Sequence, residues 1–180
     1  MTTAVPGAPL AERGLLETRR SPGPAVSADS FRSVMRHHVK GVAIITAGTD
    51  MPVGFCATSL CSVALEPLLV SFTVGVRSAS WPTVRTATHI MVHLLAEGQE
   101  ELARRFARPG HAKFDPPTAW YRGQHGLPVL DTALAWLLLC PVNTMMVSDH
   151  ALIFGQVVDV RDSGCGRPLV HHNGQFGQLA

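Results

Sequence analysis

Six short apolar runs, rich in β-branched residues and broken by glycine, proline and aspartate, constrain what this chain can fold into more than any other feature. They read as strands over 42–47, 52–58, 68–74, 89–95, 133–142 and 151–160. Two segments carry helical spacing instead. The first, capped by Asp29 or Ser30 and ended by Gly41, has Phe31, Val34, Met35 and Val39 on its apolar face. The second, over 97–107, sets Leu102, Arg105 and Phe106 at i, i+3 and i+4 behind first-turn glutamates. The balance predicts a mainly β domain with a few helices, as an antiparallel barrel closed or nearly closed. The proline- and glycine-rich stretch 108–128 predicts a long loop of the kind that covers a site. Residues 1–28, rich in Pro, Gly, Ala and Ser, predict a disordered N-terminal arm, leaving 29–180 as one domain.

Composition excludes several function classes. A chain of 180 residues suffices for a sizeable core, and 46% hydrophobic against 16% charged residues is a globular balance whose apolar excess points to a buried subunit interface. The net charge of +2 comes with no basic run, which argues against nucleic acid. No stretch approaches the roughly 18 apolar residues of a membrane span. The first 28 residues lack an apolar signal core, and SPGPAVSADS after Arg19 and Arg20 does not fit twin-arginine export. The expectation is a cytoplasmic protein with no membrane partner. Cys56, Cys61, Cys140 and Cys165 show no C-x-x-C spacing and read as reduced, partly buried residues. His89 and His93 share a strand face but stand roughly 13 Å apart along it, too far to ligate one zinc ion by themselves. No metal site is expected.

The stretch GFCATSLCSVALEPLLVSFTVGVRSAS, residues 54–80, joins small hydroxyl residues to two strand-like runs. Small residues let a flat ligand approach the backbone, and Thr58, Ser59 and Ser62 add short hydrogen-bonding groups. Ser78 and Ser80 precede SWPTVRTAT, which reads as a helix with Ser80 at the N-cap and Pro82 in its first turn. Free N–H groups at such a start suit a phosphate. A ring pocket followed by an anion pocket is what a flavin nucleotide requires. No G-x-G-x-x-G follows a strand, and GCGRPL (164–169) lacks the third glycine and a following helix, so a nicotinamide cofactor would bind outside a Rossmann fold. A P-loop and a G-x-S-x-G elbow are also absent.

The motifs FRSVMRHHVKGVAIITAG, GFCATSLCSVALEPLLVSFTV, ELARRFARPGHAKF, GLPVLDTALAWLLLCPV, SDHALIFGQVVDV and PLVHHNGQF lie in the order and spacing of a known family, over roughly residues 30–179. Together they resemble the flavin reductase-like family, short-chain NAD(P)H:flavin oxidoreductases that supply reduced flavin to two-component monooxygenases. The resemblance implies a split β-barrel, a homodimer with the flavin near the interface, FMN or FAD as flavin, and NADH or NADPH stacking on it. It places Thr46, Ala57, Thr58, Ser59, Ser62 and Val63 against the isoalloxazine and ribityl chain. Ser78 and Ser80 would stand near the phosphate, with Lys113 adding a cation. His150 corresponds to a family histidine near the meeting of nicotinamide and flavin, the candidate catalytic residue. His171, His172, Asn173, Gly174 and Phe176 match the dinucleotide-facing loop.

Hydride transfer between the two cofactors is their own reaction, so the protein owes binding, stacking geometry and charge stabilisation rather than a strong acid or base. Three positions depart from the family: Thr58 and His93, where asparagine is common, and His171, where an aromatic is common. Three readings follow: a reductase feeding a partner oxygenase, a split barrel repurposed for another transformation, and a non-catalytic flavin-binding protein.

Overall fold

The computed structural model describes residues 26–110, 112–164 and 166–178. Its elements are α1 (Ala28–Arg36), β1 (Lys40–Gly41), β2 (Ala43–Ala47), β3 (Val53–Ala57), β4 (Cys61–Leu65), β5 (Leu68–Gly75), α2 (Trp81–Val84) and β6 (Ile90–Leu94). There follow α3 (Glu100–Ala107), β7 (Trp120–Arg122), β8 (Pro128–Leu130), β9 (Ala135–Val147), β10 (His150–Asp162), β11 (Leu169–His172) and β12 (Gln175–Gln178). One antiparallel sheet runs β3-β2-β6-β9-β10-β5-β4; β1-β11-β12 form a second, and β7 pairs with β8. The mainly β architecture with a few helices is as the sequence predicts.

A closed barrel is not formed. Among the described residues β3 and β4 are the two edges of the seven-stranded sheet, with no ladder between them. β4 pairs with β5 alone, and its register shifts between Ser62 and Ala64 so that Val63 has no partner. Such a bulge twists an edge away from further pairing and re-aims the extra side chain.

β2 fixes where the core lies. All five of its residues are buried, and the pleat sends Ala43, Ile45 and Ala47 into a cluster with Phe72, Val92, Leu139 and Ile153. Ile44 points the other way, to Leu95, Phe106, Leu130 and Leu169. Each such aliphatic side chain stabilises the fold by about 1.5–3 kcal/mol through removal from water. Between β2, β6 and β8 lies His93, with no exposed surface. Its Nδ1–H donates to the Ile44 carbonyl at 3.1 Å, and its Nε2 accepts the Leu130 N–H at 3.1 Å. Both ring nitrogens are used, and burial lowers the imidazole pKa to about 4. His93 is thus a neutral cross-link of three strands.

Several local expectations are corrected. Ser27, not Asp29 or Ser30, caps α1, its hydroxyl accepting the Ser30 N–H at 3.1 Å. The helix stops at Arg36, and Gly41 pairs with Val170 in β1–β11 instead of ending it. No residue of α1 is buried; Phe31 and Val34 remain 61% and 67% exposed, so among the described residues the amphipathic pattern has no covering partner. α3 begins at Glu100 because Gln99 is held outside it, accepting the Ala96 N–H and donating to the Thr132 carbonyl. The 108–128 segment is not one loop: β7, a 3-10 turn over Gln124–Gly126 and the start of β8 occupy its second half. Of the expected N-terminal arm, residues 1–25 lie outside the described residues, and α1 begins at Ala28, inside the expected arm.

Candidate functional site

Gly54 is the structural centre of the main cleft. A Cβ built on it would stand 2.6 Å from the Phe106 ring, so only glycine lets α3 lie this close to β3. The Gly54 carbonyl accepts the Lys113 ammonium at 2.9 Å and lies 3.4 Å from the Ser80 hydroxyl, which donates to it. Lys113 donates a second hydrogen bond to the Phe106 carbonyl at 3.1 Å. Two of its three N–H donors are thereby fixed, and the third remains to meet a ligand. Edge-to-face contacts from Phe106 to Phe114 and from Phe114 to Trp120 brace the segment that carries the lysine.

Around this centre lies a cavity of about 400 Å³, walled by β3, by the turn 77–80, by the end of α3 and by Lys113 and Phe114. Arg77, Arg108 and Lys113 bring three cations to it, and its lining contains no carboxylate. Burial lowers the Lys113 pKa, and the neighbouring Cys56 thiol opposes that shift. Burial pushes the Cys56 thiol up to about 11, with Lys113 offsetting part of the rise. At neutral pH the thiol is protonated, which leaves the cleft net positive. The donor set suits a phosphate ester beside an apolar wall.

Ser78, Ser80 and Lys113 all line this cavity, but the Ser80 side chain does not face into it. Ser80 is 5% exposed, and its hydroxyl turns inward to Gly54. The Ser80 N–H donates to Ser78 Oγ, the Trp81 N–H to the Ser78 carbonyl, and Pro82 has none. Arg77, Arg108 and Lys113 bring side-chain positive charge to this pocket. Arg77 and Arg108 were missed by sequence reading. Arg77 directly precedes Ser78, and that adjacency is the signal the sequence offers.

The other candidates fall into separate places. Thr58, Ser59, Ser62 and Val63 follow on from β3 along the bulged edge β4, with Ser59, Ser62 and Val63 exposed. Ser59 Oγ accepts the Thr73 N–H at 3.0 Å, tying this shoulder to β5. Ala57 is buried beneath it. Thr46 lies fully buried in β2, where its hydroxyl donates to the Pro128 carbonyl at 2.6 Å, so that side chain has no open face for a ligand. His150 opens β10 opposite Gly75, and its Nδ1 lies 2.8 Å from the Asp149 carboxylate. That bond holds the Asp149 carboxyl below its usual range. The Asp149 carbonyl accepts the Val76 N–H, placing His150 beside the turn that carries Arg77 and Ser78.

His171, Asn173 and Gly174 line a different cleft, against α1. The loop expected there is a hairpin: Asn173 and Gly174 have φ of 49° and 77° between paired His172 and Gln175, a two-residue turn with both φ positive. Phe176 packs into the Phe106 cluster, edge-on to His171 and under Arg104 of α3. Cys56, Cys61 and Cys140 are free thiols, and Cys165 lies outside the described residues. Among the described residues no group of three or more His, Cys, Asp or Glu is placed to hold a metal, and no helix is long and apolar enough to cross a membrane.

Residues 35–180 match the family described as flavin reductase like domain. An NADH:FMN oxidoreductase of Rhodococcus qingshengii is 37% identical over 157 residues, spanning 84% of this chain and 81% of that protein. The reductase component of a 4-nitrophenol 4-monooxygenase/4-nitrocatechol 2-monooxygenase from Rhodococcus opacus is 34% identical over 150 residues, 83% of this chain and 80% of that one. Among solved structures, the NADH:FAD oxidoreductase of Streptomyces globisporus C-1027, in complex with NAD and FAD fragments, superposes with a TM-score of 0.81. Its identity is 27%, over 88% of this chain and 98% of that chain.

Proposed function

The chain belongs to the flavin reductase-like family, and from that premise we propose that it is an NAD(P)H:flavin oxidoreductase supplying reduced FMN or FAD to a partner monooxygenase. The observation that carries the reading is the cleft at Gly54, where Arg77, Arg108 and a doubly anchored Lys113 face one cavity with no acid in its lining. Those groups fit the phosphate of a flavin nucleotide, and the shoulder formed by half-buried Thr58 with exposed Ser59, Ser62 and Val63 supplies a place for its ring. When flavin and nicotinamide are bound, they supply hydride transfer from nicotinamide C4 to flavin N5. The chain holds the phosphate through Lys113, Arg77 and the Ser78 hydroxyl, while Ser80 and Gly54 hold the lysine's platform. His150, kept in orientation by Asp149, is the residue assigned to positioning the two rings and handling a proton at its free Nε2. The β11–β12 turn faces the dinucleotide.

The same reading makes the protein a cytoplasmic homodimer with the split-barrel form of its family. The exposed Leu65, Leu68, Val158 and Val160 supply surface for a second copy. Oxidation of NADH and NADPH, followed with added FMN, FAD or riboflavin, tests the activity. Flavin-dependent turnover is expected; binding of flavin with no reduction by either nicotinamide would instead favour a repurposed barrel.

A further inference from the structure

Arg36, Lys40 and His171 are brought together by backbone pairing. Lys40 stands across from His171 in the β1–β11 register, and the Asn173 N–H donates to the Arg36 carbonyl at 3.0 Å. The end of α1 is thereby tied to the β11–β12 turn, and between them opens a cleft of about 280 Å³ that Phe31 and Met35 also line.

Charge in this cleft is unbalanced. Asp29, the acid of α1's first turn, is taken by Arg32 at 2.7 Å. Among the described residues neither Arg36 nor Lys40 has an ion-pair partner, and no carboxylate lines the cleft. Burial, then the charges of Lys40 and His172, hold the His171 imidazole below its ordinary value, a sign that like charges crowd here. Such a cluster gains from an anion. Phe31 adds a largely exposed aromatic surface beside the bases, and a flat apolar face next to guanidinium and ammonium groups suits a nucleoside phosphate better than a bare ion. A site that selects an unphosphorylated ribose commonly uses a carboxylate to accept its 2′-hydroxyl, whereas arginine accommodates a 2′-phosphate. This cleft has the arginine and lacks the acid.

We propose that the cleft between α1 and the β11–β12 turn receives the adenosine end of the nicotinamide nucleotide, with Arg36 and Lys40 pairing with a ribose 2′-phosphate, so that the chain favours NADPH over NADH. This rests on the reductase reading, but its primary readout is binding and requires no turnover.

Calorimetric titration of the full chain with 2′,5′-ADP and with 5′-AMP, at one ionic strength, is the test. 2′,5′-ADP binds at least tenfold more tightly, and Arg36→Ala with Lys40→Ala brings the two ligands within about threefold. Arg36→Gln, at an exposed position, narrows the gap in the same direction should the double variant fail to fold. Equal binding in the unmutated chain overturns the proposal, as does an advantage that survives the substitutions. Inorganic pyrophosphate competing as strongly as 2′,5′-ADP also overturns it, since the patch would then recognise anions without a nucleoside. Reduction of flavin by NADH with no preference for 2′,5′-ADP sinks this inference alone. A preference for 2′,5′-ADP with no flavin reduction by either nicotinamide supports the cleft and sinks the reductase reading.

Discussion

The seam between β2, β6 and β8 and the cleft over β3 both contain polar groups held by backbone carbonyls, yet they differ in what is left over. In the seam, His93 spends both ring nitrogens on Ile44 and Leu130, and Thr46 spends its hydroxyl on Pro128, all without access to water. In the cleft, Lys113 spends two donors on Gly54 and Phe106 while remaining half-buried beside a cavity with two arginines. Complete satisfaction marks structure, because a buried polar group without a partner is costly. A fixed cation with a donor to spare marks binding. The departure from the family's asparagine at His93 belongs on the structural side of that line.

The strongest way to break the comparison is to remove His93. His93→Ala leaves the Leu130 N–H unpaired and opens a cavity, at an expected cost of about 3–5 kcal/mol in urea unfolding. Flavin selectivity in the surviving folded fraction should not change. A loss below about 1 kcal/mol would show that the seam is not the cross-link described.

Acid probes the same group without mutation. Its folded pKa, about 4, lies below the value of 6.5 for a free imidazole, so the folded state binds fewer protons between them. The stabilisation is complete above about 6.5 and is lost as pH falls toward 4. Unfolding at pH 5 against pH 7 should show a loss on the order of 2 kcal/mol from this histidine, and His93→Asn should flatten that part of the profile. An unaltered profile in the variant would assign the acid sensitivity elsewhere.

His150 extends the comparison to a histidine of the opposite kind, exposed and with one nitrogen uncommitted. His150→Ala should slow anaerobic reduction of bound FMN by about tenfold or more while leaving FMN affinity within severalfold. An unchanged rate would make the residue structural.

The smallest effects separate the two serines. Ser80→Ala removes a long buried hydrogen bond and should cost about 1 kcal/mol of stability, weakening FMN and riboflavin alike. Ser78→Ala should weaken FMN preferentially. Equal behaviour of the two variants would erase the distinction between platform and ligand contact.

The strands of the seven-stranded sheet were legible where apolar runs are long: five of the six runs match β2, β3, β5, β6 and β10 within a residue or two, and β9 continues five residues past its predicted end. β4 escaped because its bulge at Val63 breaks the alternation that a strand is read by. The β11–β12 hairpin carried a clear signal in Asn173–Gly174, but two short strands around it do not stand out as apolar runs. Among site residues, Ser78, Ser80 and Lys113 could be placed together from motif order. That Ser80 faces inward could not, since it depends on Gly54 letting Phe106 approach and on where the Gly54 carbonyl then points. Arg77 and Arg108 become pocket residues only once the turn after β5 and the end of α3 meet.

The most direct test of the central claim, that the cleft at Gly54 holds a flavin phosphate, is equilibrium titration of FMN against riboflavin in the unmutated chain and in Lys113→Met. FMN should bind at least tenfold more tightly than riboflavin, and Lys113→Met should remove most of that margin, as loss of a hydrogen bond to a charged group costs about 1.5–3 kcal/mol. Equal affinities in the unmutated chain, or a margin that survives in Lys113→Met, would contradict the account.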